Sequence, residues 1–548
     1  MSTLKIYYSV LLIICALSLN AQTGLKAKID TILKAYDTKD DPSLVIRVIK
    51  DSDIFYSKGF GIANLDYNIK NTDSTVFGIA SISKQFTAAA VWSLIRASKL
   101  SLEDNLTSFF PDFPNYAKSI KIKHLLNHSS GIRNYHTTMY LSGFDYDKDY
   151  YDNAYVLDLA QRQKHGNHIP GEKIIYSNTN YNLLALIVEQ ISGQNLDEYL
   201  KAQILIPLGM TDTFVRIAHG KPIKNRAVGY QKQKDGYVFN TSNQLSYGAG
   251  SMGSNLKDMT LWAKMLNEET PEFRALAKFL KTTEVLLNGE KASYARGLMV
   301  DDYKGFETLS HSGFSFGGQT QLITVPEEHI GIIILTNLQS INPTPISYEI
   351  LNLFLQEKEK KVDTCVSFKS QQLNQFTGDY KEINSDMAMQ ISIENDTLKT
   401  LGTFGETKIP LVQKGFNTFA RLNAQNVKYD FNSTSEYDMI ISFGGTPFYF
   451  KRAQLIKENP SNLKDFTGNY YSEELQTTYH FFVEDNTLKL SYTNHDNITL
   501  YPVQLNQFGN RDRTLFHFTT SNNNVTGMLL SCDGQVSDIE FTKDQTQF

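Results

Sequence analysis

Hydrophobic and polar positions change their period along the chain, and each change predicts a different kind of element. Residues 42–62 (PSLVIRVIKDSDIFYSKGFGI) read as two strands around a Lys-Asp-Ser-Asp turn. Helical spacing dominates from residue 80 to 270, strand patterns return near 295–337, and residues 343–361 predict a last helix. The pattern predicts an α/β fold whose antiparallel sheet is built from both ends of this region, with a helical subdomain inserted between them. We expect a cleft where the sheet and the subdomain meet.

An internal repeat follows the charged run at residues 356–361. The segment LNQFTGDY (373–380) matches LKDFTGNY (463–470), and IENDTLK (393–399) matches VEDNTLK (483–489), each pair separated by 90 residues. Short strand patterns fill both copies, which predicts two small all-β barrels. The domain prediction is a leader at 1–21, an α/β domain at 22–360, and barrels at 361–455 and 456–548.

Length and charge narrow the possible partners. With 548 residues the chain is too long for one core. The net charge is −5, from 53 basic and 58 acidic side chains, and no basic tract is present. Nucleic acid is therefore not an expected partner. Aromatic residues make up 12% of the chain, which suits a protein rich in β-structure.

The first 21 residues have the pattern of a secretory signal peptide. Lys5 precedes an apolar run at residues 6–19, and the small Ala21 precedes Gln22, where we expect the mature chain to begin. The run is too short for a stable membrane span, so we predict an exported, periplasmic or secreted protein without a transmembrane anchor. Cys365 and Cys532 then remain; the compartment permits a disulfide, but two buried free thiols fit the count better.

Candidate chemistry begins with Ser81-Ile82-Ser83-Lys84, at the start of an apolar helical stretch. A spacing of three residues places the Ser81 hydroxyl and the Lys84 amine on one helix face, one turn apart. Serine is a weak nucleophile until a neighbouring base takes its proton, and a buried neutral lysine can do this. Ser81 is therefore the candidate nucleophile.

Two further polar motifs follow, Tyr176-Ser177-Asn178 and His311-Ser312-Gly313. With these three motifs in this order, the chain resembles the serine β-lactamase and penicillin-binding protein superfamily over residues 25–360. Histidine at position 311 replaces the lysine of typical β-lactamases and is closer to the D-alanyl-D-alanine carboxypeptidase, D-aminopeptidase and esterase branches. The two C-terminal β-domains resemble the lipocalin-like barrels of the D-aminopeptidases.

The resemblance implies a role for each motif. Ser81 is the nucleophile, and Lys84 and Tyr176 share the proton relay. The resemblance leaves open which of these two residues is the general base. The resemblance also assigns substrate binding to Asn178, His311, Ser312, Gly313 and Phe314, with the oxyanion hole formed by the backbone N–H groups of Ser81 and Phe314.

Two other sequence motifs are weaker candidates for a functional site. Gly313-Phe-Ser315-Phe-Gly317 matches the nucleophile elbow G-x-S-x-G, but that motif needs a helix after the serine, whereas this segment reads as a β-hairpin. His124 and His128 have metal-ligand spacing, yet no third ligand is evident, and the resemblance places both in a structural turn. We predict no metal and no cofactor.

The resulting prediction is an exported serine hydrolase that acts through a Ser81 acyl-enzyme. Its expected substrates are a D-amino-acid peptide or amide, an ester, or a β-lactam, in that order. One alternative is a penicillin-binding or sensing protein that is acylated without efficient turnover. Another is a β-barrel scaffold that carries an inert hydrolase domain.

Overall fold

The computed structural model describes residues 22–544, except for 147, 219, 241–242, 288, 290, 357, 359–369, 403–404, 406, 423, 444–445, 457 and 523. The predicted signal peptide and Cys365 lie outside the described residues. The chain forms two compact units. Of the described residues, the first unit contains 22–93, 192–282 and 296–358, and the second contains 94–191, 283–295 and 370–544. The predicted domain 22–360 therefore contributes to both units, and its boundaries stay predictions.

Helices and short strands alternate through the region before the barrels. The helices are α1 (22–33), α2 (Ser83–Arg96), α3 (Ile122–Leu126), α4 (Tyr135–Ser142), α5 (Asn153–Arg162), α6 (Asn178–Ser192), α7 (Leu196–Leu200), α8 (Ile206–Leu208), α9 (Leu256–Leu266), α10 (Arg274–Lys281) and α11 (Pro343–Leu351). The strands are β1 (Leu44–Lys50), β2 (Asp53–Gly59), β3 (Ile62–Asn64), β4 (Ile69–Lys70), β5 (Phe77–Gly78), β6 (Tyr151–Asp152), β7 (Phe214–Val215), β8 (Tyr230–Gln233), β9 (Gly236–Phe239), β10 (Gln244–Leu245), β11 (Met252–Ser254), β12 (Met299–Tyr303), β13 (Phe306–Ser315), β14 (Gly318–Val325) and β15 (Ile330–Thr336).

A six-stranded antiparallel sheet forms the centre of the first unit, in the order β12-β13-β14-β15-β1-β2. Strand β1 pairs with β15, so that Leu44 faces Thr336 and Lys50 faces Ile330. The two ends of the region thus meet in one sheet, and the predicted α/β fold is confirmed.

Helices cover both faces of this sheet. Every residue of β15 is therefore buried. Even-numbered residues of the strand, such as Ile332, pack in one cluster with Ile346 and Ile350 of α11. On the other face, Gly331 lies against Ala263 of α9, whose Cβ is 3.3 Å from an ideal Cβ at Gly331. A continuous apolar sequence in β15 is what a strand buried on two faces requires.

Two β-domains follow, and both belong to the second unit. Helix α12 (Ser370–Leu373) precedes the first, a closed barrel whose interior is filled by aromatic and aliphatic side chains. Its strands are β16 (Gly378–Glu382), β17 (Ala388–Glu394), β18 (Thr397–Gly402), β19 (Ile409–Gln413), β20 (Thr418–Arg421), β21 (Ala424–Asp430), β22 (Met439–Phe443) and β23 (Thr446–Arg452). The second is a nine-stranded sheet that nearly closes. Its strands are β24 (Gly468–Ser472), β25 (Thr477–Glu484), β26 (Thr487–Tyr492), β27 (His495–Thr499), β28 (Tyr501–Gln504), β29 (Gln507–Gly509), β30 (Thr514–Ser521), β31 (Asn524–Cys532) and β32 (Val536–Lys543).

The repeated residues occupy matching places in the two barrels. The Tyr380 hydroxyl donates to the Phe376 carbonyl at 2.9 Å, and the Tyr470 hydroxyl donates to the Phe466 carbonyl at the same distance. The prediction of two all-β barrels from the 90-residue repeat is therefore confirmed. Cys532 is a buried free thiol. Within the described residues, no helix combines the length and the hydropathy needed to span a bilayer.

Candidate active site

Ser81 lies where a one-turn 3₁₀ helix, Ala80–Ile82, leads into α2. The Lys84 Nζ is 3.1 Å from the Ser81 Oγ and donates to the Ala249 carbonyl at 2.8 Å. Lys84 is fully buried, whereas Ser81 is partly exposed. The spacing of three residues thus brings the Ser81 hydroxyl, the predicted nucleophile, into direct contact with the Lys84 amine.

Burial lowers the pKa of Lys84 well below its usual value. An ammonium group in an apolar interior loses its hydration, so the neutral amine is favoured there. A neutral Nζ has a lone pair that can accept the Ser81 proton while its own N–H donates to the Ala249 carbonyl. This environment suits the general-base role that the sequence predicts for Lys84 or Tyr176, here at Lys84.

The backbone before Ser81 is held in an uncommon conformation. Ala80 has φ +46°, in the left-handed region, where a non-glycine residue costs free energy. The Ile79 carbonyl accepts from the Thr320 hydroxyl of β14 at 3.1 Å. An ideal Cβ at Gly313 would lie 2.8 Å from the Ala80 Cβ and 2.3 Å from the Thr320 Oγ1. Strand β13 can approach the Ser81 turn this closely because residue 313 is glycine. This is a packing reason for the glycine, in addition to the substrate-binding role that the resemblance implies.

His311 is buried in β13, with its Nδ1 2.5 Å from the Ser312 carbonyl. Because a carbonyl only accepts, the Nδ1 must carry the proton in this contact. Burial is the larger cause, and the electrostatic effect of the neighbouring Lys84 the smaller one, by which the pKa of His311 is lowered to about 3. His311 is therefore a neutral imidazole at neutral pH. Ser312 and Phe314 are exposed, the Phe314 side chain to 63%.

A pocket of about 160 Å³ adjoins the Ser81 turn within the first unit, with Ala80 in its wall. Phe214, Met252 and Phe316 give it an apolar lining. Other lining groups include the guanidinium side chains of Arg216 and Arg226.

Tyr176 and Asn178 belong to the second unit, where α6 begins at Asn178. Tyr176 and Ser177 precede this helix, and Asn178 is its first residue. The Tyr176 ring lies against that of His128, with centroids 4.3 Å apart. The Asn134 Oδ1 accepts from both the backbone N and the Nδ2 of Asn178, each at 3.1 Å. The roles of Tyr176 and Asn178 toward Ser81 stay predictions.

The two other motifs have structural explanations. Strands β13 and β14 pair from Leu309↔Thr324 to Ser315↔Gly318, so Ser315 lies in a β-hairpin and the nucleophile-elbow requirement of a following helix is not met. His128 is buried beyond the end of α3, with φ +61°, and its Nδ1 accepts from the Ser177 backbone N at 3.3 Å. Among the residues that the structure describes, no group of three or more His, Cys, Asp or Glu side chains is placed to hold a metal.

Comparison with known proteins gives a family match and several relatives. The family model described as Beta-lactamase matches residues 29–352. Penicillin-binding protein 4* of Bacillus subtilis (strain 168) is 27% identical over 433 residues, which cover 74% of this chain and 93% of that protein. Among solved structures, the octameric penicillin-binding protein homologue from Pyrococcus abyssi is similar over 87% of this chain and 98% of its own, with 24% identity and a TM-score of 0.54. The D-amino acid amidase from Ochrobactrum anthropi SV3, complexed with L-phenylalanine amide, covers 60% of this chain and 98% of its own, with 21% identity and a TM-score of 0.50. At these identities the two structures show a shared fold.

Proposed function

Because the chain belongs to the beta-lactamase family, we propose that it is a serine hydrolase whose Ser81 forms an acyl-enzyme with an amide or ester. The observation that carries this proposal is the buried Lys84 amine, 3.1 Å from the Ser81 Oγ. In an exposed helix, a lysine at this spacing would be a solvated cation and a poor base. Here burial favours the neutral amine that the reaction needs.

In the proposed reaction, the Lys84 Nζ takes the Ser81 proton while the Oγ attacks the substrate carbonyl carbon. The carbonyl π-bond opens to a tetrahedral oxyanion, which the backbone N–H groups of Ser81 and Phe314 are proposed to stabilise. Collapse breaks the bond to the leaving group, which receives a proton through the relay. Water then attacks the acyl-enzyme, and its proton returns through Lys84 to the Ser81 oxygen.

Lys84 is the preferred general base, because its contact with Ser81 is direct. Tyr176 is then the donor that protonates the leaving group. The alternative assigns the first proton transfer to a Tyr176 phenolate. If Tyr176 acts only on the leaving group, Tyr176→Phe should slow acylation by an amide more than acylation by an activated phenyl ester, whose leaving group needs no proton. An equal loss with both substrates would support the phenolate alternative.

We propose D-aminoacyl amides or peptides as the first substrate class, before esters and β-lactams. A buried imidazole with a pKa lowered to about 3 supplies no cation at position 311. An attraction between position 311 and a substrate carboxylate, as a lysine there would provide, is therefore absent at neutral pH. The structurally similar D-amino acid amidase from Ochrobactrum anthropi SV3 carries the same substrate class in its name. The apolar pocket beside the Ser81 turn is proposed to take the acyl side chain.

The test is the intact mass of the mature chain after exposure to a penicillin, a D-aminoacyl amide and a D-aminoacyl ester, with substrate loss followed in parallel. Ser81→Ala should form no adduct and show no turnover. Ser83→Ala is the matched control, because it removes a buried hydroxyl from the same helix start and leaves Ser81 in place. Turnover retained by Ser81→Ala would refute the proposal. A stable adduct of Ser81 without turnover would instead support a penicillin-binding or sensing protein.

Export is proposed from the N-terminal sequence. Expression of the full chain in a bacterial host, followed by N-terminal sequencing of the extracytoplasmic protein, should give Gln22 as the first residue. An uncleaved chain retained in the cytoplasm would contradict this.

A further inference from the structure

The Tyr176-Ser177-Asn178 motif is held in place by a neighbouring segment of the second unit. The Arg133 carbonyl accepts from the Ser177 hydroxyl at 3.1 Å and from the Thr179 hydroxyl at 2.7 Å. The Asn134 Oδ1 accepts both from the backbone N–H and from the side-chain amide of Asn178. Residues 133 and 134 therefore hold the side chain of Ser177 and both the backbone and the side chain of Asn178.

Asn134 also contacts the second barrel. Its Nδ2 donates to the Gln535 Oε1 at 2.5 Å, and the Thr137 hydroxyl donates to the same oxygen at 3.2 Å. Because the Asn134 Oδ1 receives a backbone N–H of Asn178, its oxygen and nitrogen cannot be exchanged without loss at both ends. The Asn134 amide is therefore held at its oxygen by Asn178 and at its nitrogen by Gln535.

Arg133 makes a second link to the same barrel. Its Nη1 is 2.8 Å from the Glu474 Oε1, and its Nη2 donates to the Ser537 carbonyl at 2.6 Å. The side chains of Arg133 and Glu474 are only 2% and 4% exposed. A buried pair of this kind fixes geometry, because displacing either partner leaves an uncompensated charge in the interior.

These contacts come from two loops of the second barrel. Glu474 lies between β24 and β25, and Gln535 lies between β31 and β32. At the 90-residue offset of the repeat, the position of Glu474 is taken by Asn384, which carries no charge. The acidic partner of Arg133 is therefore specific to the second copy.

We propose that the second barrel positions the Tyr176-Ser177-Asn178 motif for acylation, with Gln535 acting through Asn134 and Glu474 acting through Arg133. The proposal rests on the proposed function insofar as the motif takes part in acylation. It assigns positioning roles to residues of a domain in which sequence analysis found no candidate. If the second barrel were only docked on the rest of the unit, contacts away from the motif would be sufficient. One such contact is the 2.7 Å hydrogen bond from the Tyr479 hydroxyl to the Leu141 carbonyl.

Four variants of the full-length chain separate positioning from docking. Gln535→Ala removes the acceptor of Asn134, and Gln535→Ser is a second variant should the first fail to fold. Gln535→Glu keeps an acceptor oxygen at this place. Tyr479→Phe is the matched control, because it removes one hydrogen bond between the barrel and the rest of the unit without touching Asn134.

Hydrogen exchange of the peptide covering residues 173–180 gives a readout that needs no activity. Gln535→Ala should speed exchange of the Ser177, Asn178 and Thr179 amides about tenfold, as expected for the loss of one hydrogen bond. Gln535→Glu and Tyr479→Phe should stay within about twofold of the original chain. Unchanged exchange in Gln535→Ala, or an equal change in Tyr479→Phe, would overturn the positioning role.

Single-turnover acylation of Ser81 gives the second readout. Gln535→Ala should lower the acylation rate about tenfold with a smaller change in KM, and Gln535→Glu should restore most of the rate. If Tyr479→Phe lowers the rate equally, the barrel acts through docking and the proposal fails. If the original chain forms no acyl-enzyme at Ser81, the proposed function fails instead, and hydrogen exchange still decides the positioning role.

Discussion

Replacing Lys84 with Met should stabilise the first unit at neutral pH while abolishing acylation of Ser81. Folding at pH 7 with a neutral Lys84 requires the loss of a proton that the unfolded chain holds with a pKa of about 10.4, which costs on the order of 5 kcal/mol. Met fills a similar volume without this cost. It loses the contacts with the Ser81 Oγ and the Ala249 carbonyl, worth about 1–2 kcal/mol together. The expected net gain in the free energy of unfolding is about 3 kcal/mol.

The gain should depend on pH. Burial lowers the pKa of Lys84 in the folded chain, so between that lowered pKa and the unfolded value the unfolded chain binds more protons. The stability of the original chain therefore rises with pH across this window. The advantage of Lys84→Met should shrink by about 1.4 kcal/mol per pH unit above pH 7 and disappear near pH 9.

Tryptophan fluorescence during urea unfolding measures the free energy of unfolding of the first unit. The chain has two tryptophans, Trp92 and Trp262, and both lie in the first unit. The Trp262 ring stacks on Phe86, two residues after Lys84, with centroids 4.0 Å apart. Lys257→Met, at an exposed position of α9, is the matched control and should change stability by less than about 0.5 kcal/mol. A Lys84→Met variant that is less stable at pH 7, or whose advantage does not vary with pH, would refute the reasoning.

Two other substitutions test the surroundings of the Ser81 turn. Gly313→Ala should destabilise the first unit by about 1–3 kcal/mol and lower acylation more than tenfold, because the new Cβ would lie 2.8 Å from that of Ala80. In Gly78→Ala the Cβ meets nothing within 4 Å, so its urea midpoint should match the original, and equal loss in both variants would contradict this. His311→Gln should make the first unit less sensitive to acid. The pKa of His311 is lowered to about 3 in the folded chain, whereas the unfolded value is about 6.5. The free energy of unfolding of the original chain should therefore fall by up to about 1.4 kcal/mol per pH unit below about pH 6.5. Urea unfolding at pH 7, 5 and 4 checks this, and identical acid sensitivity in both chains would show that His311 is not the group responsible.

Local patterns in the sequence were sufficient to predict much of the fold. The strands at residues 42–62 appear as β1 and β2, and the continuous apolar run of β15 completes the sheet from the other end. The 90-residue repeat corresponds to two barrels with the same tyrosine hydrogen bond at equivalent places. These features depend on side-chain period and on short turns, which neighbouring residues determine.

Long-range side-chain partners were not predictable in this way. Arg133 gives no local signal, because its ion pair with Glu474 joins residues 341 positions apart. The contact between Asn134 and Gln535 spans 401 positions. Sequence analysis assigned Gly313 to the approach of a substrate, whereas its lack of a Cβ also lets β13 pack against Ala80, a contact that requires the folded sheet.

The Ser81 turn combines two features that oppose folding, and this bears on whether the chain is only a scaffold. Ala80 has a left-handed backbone, and Lys84 gives up its hydration when it is buried. Neither belongs to the core cluster on the sheet, where β15 is buried and the apolar contacts are made by aliphatic and aromatic side chains. An inert domain would be more stable with an apolar residue at position 84. A buried amine 3.1 Å from a partly exposed serine hydroxyl has a physical use in removing that hydroxyl's proton, which favours a reactive Ser81 over an inert scaffold.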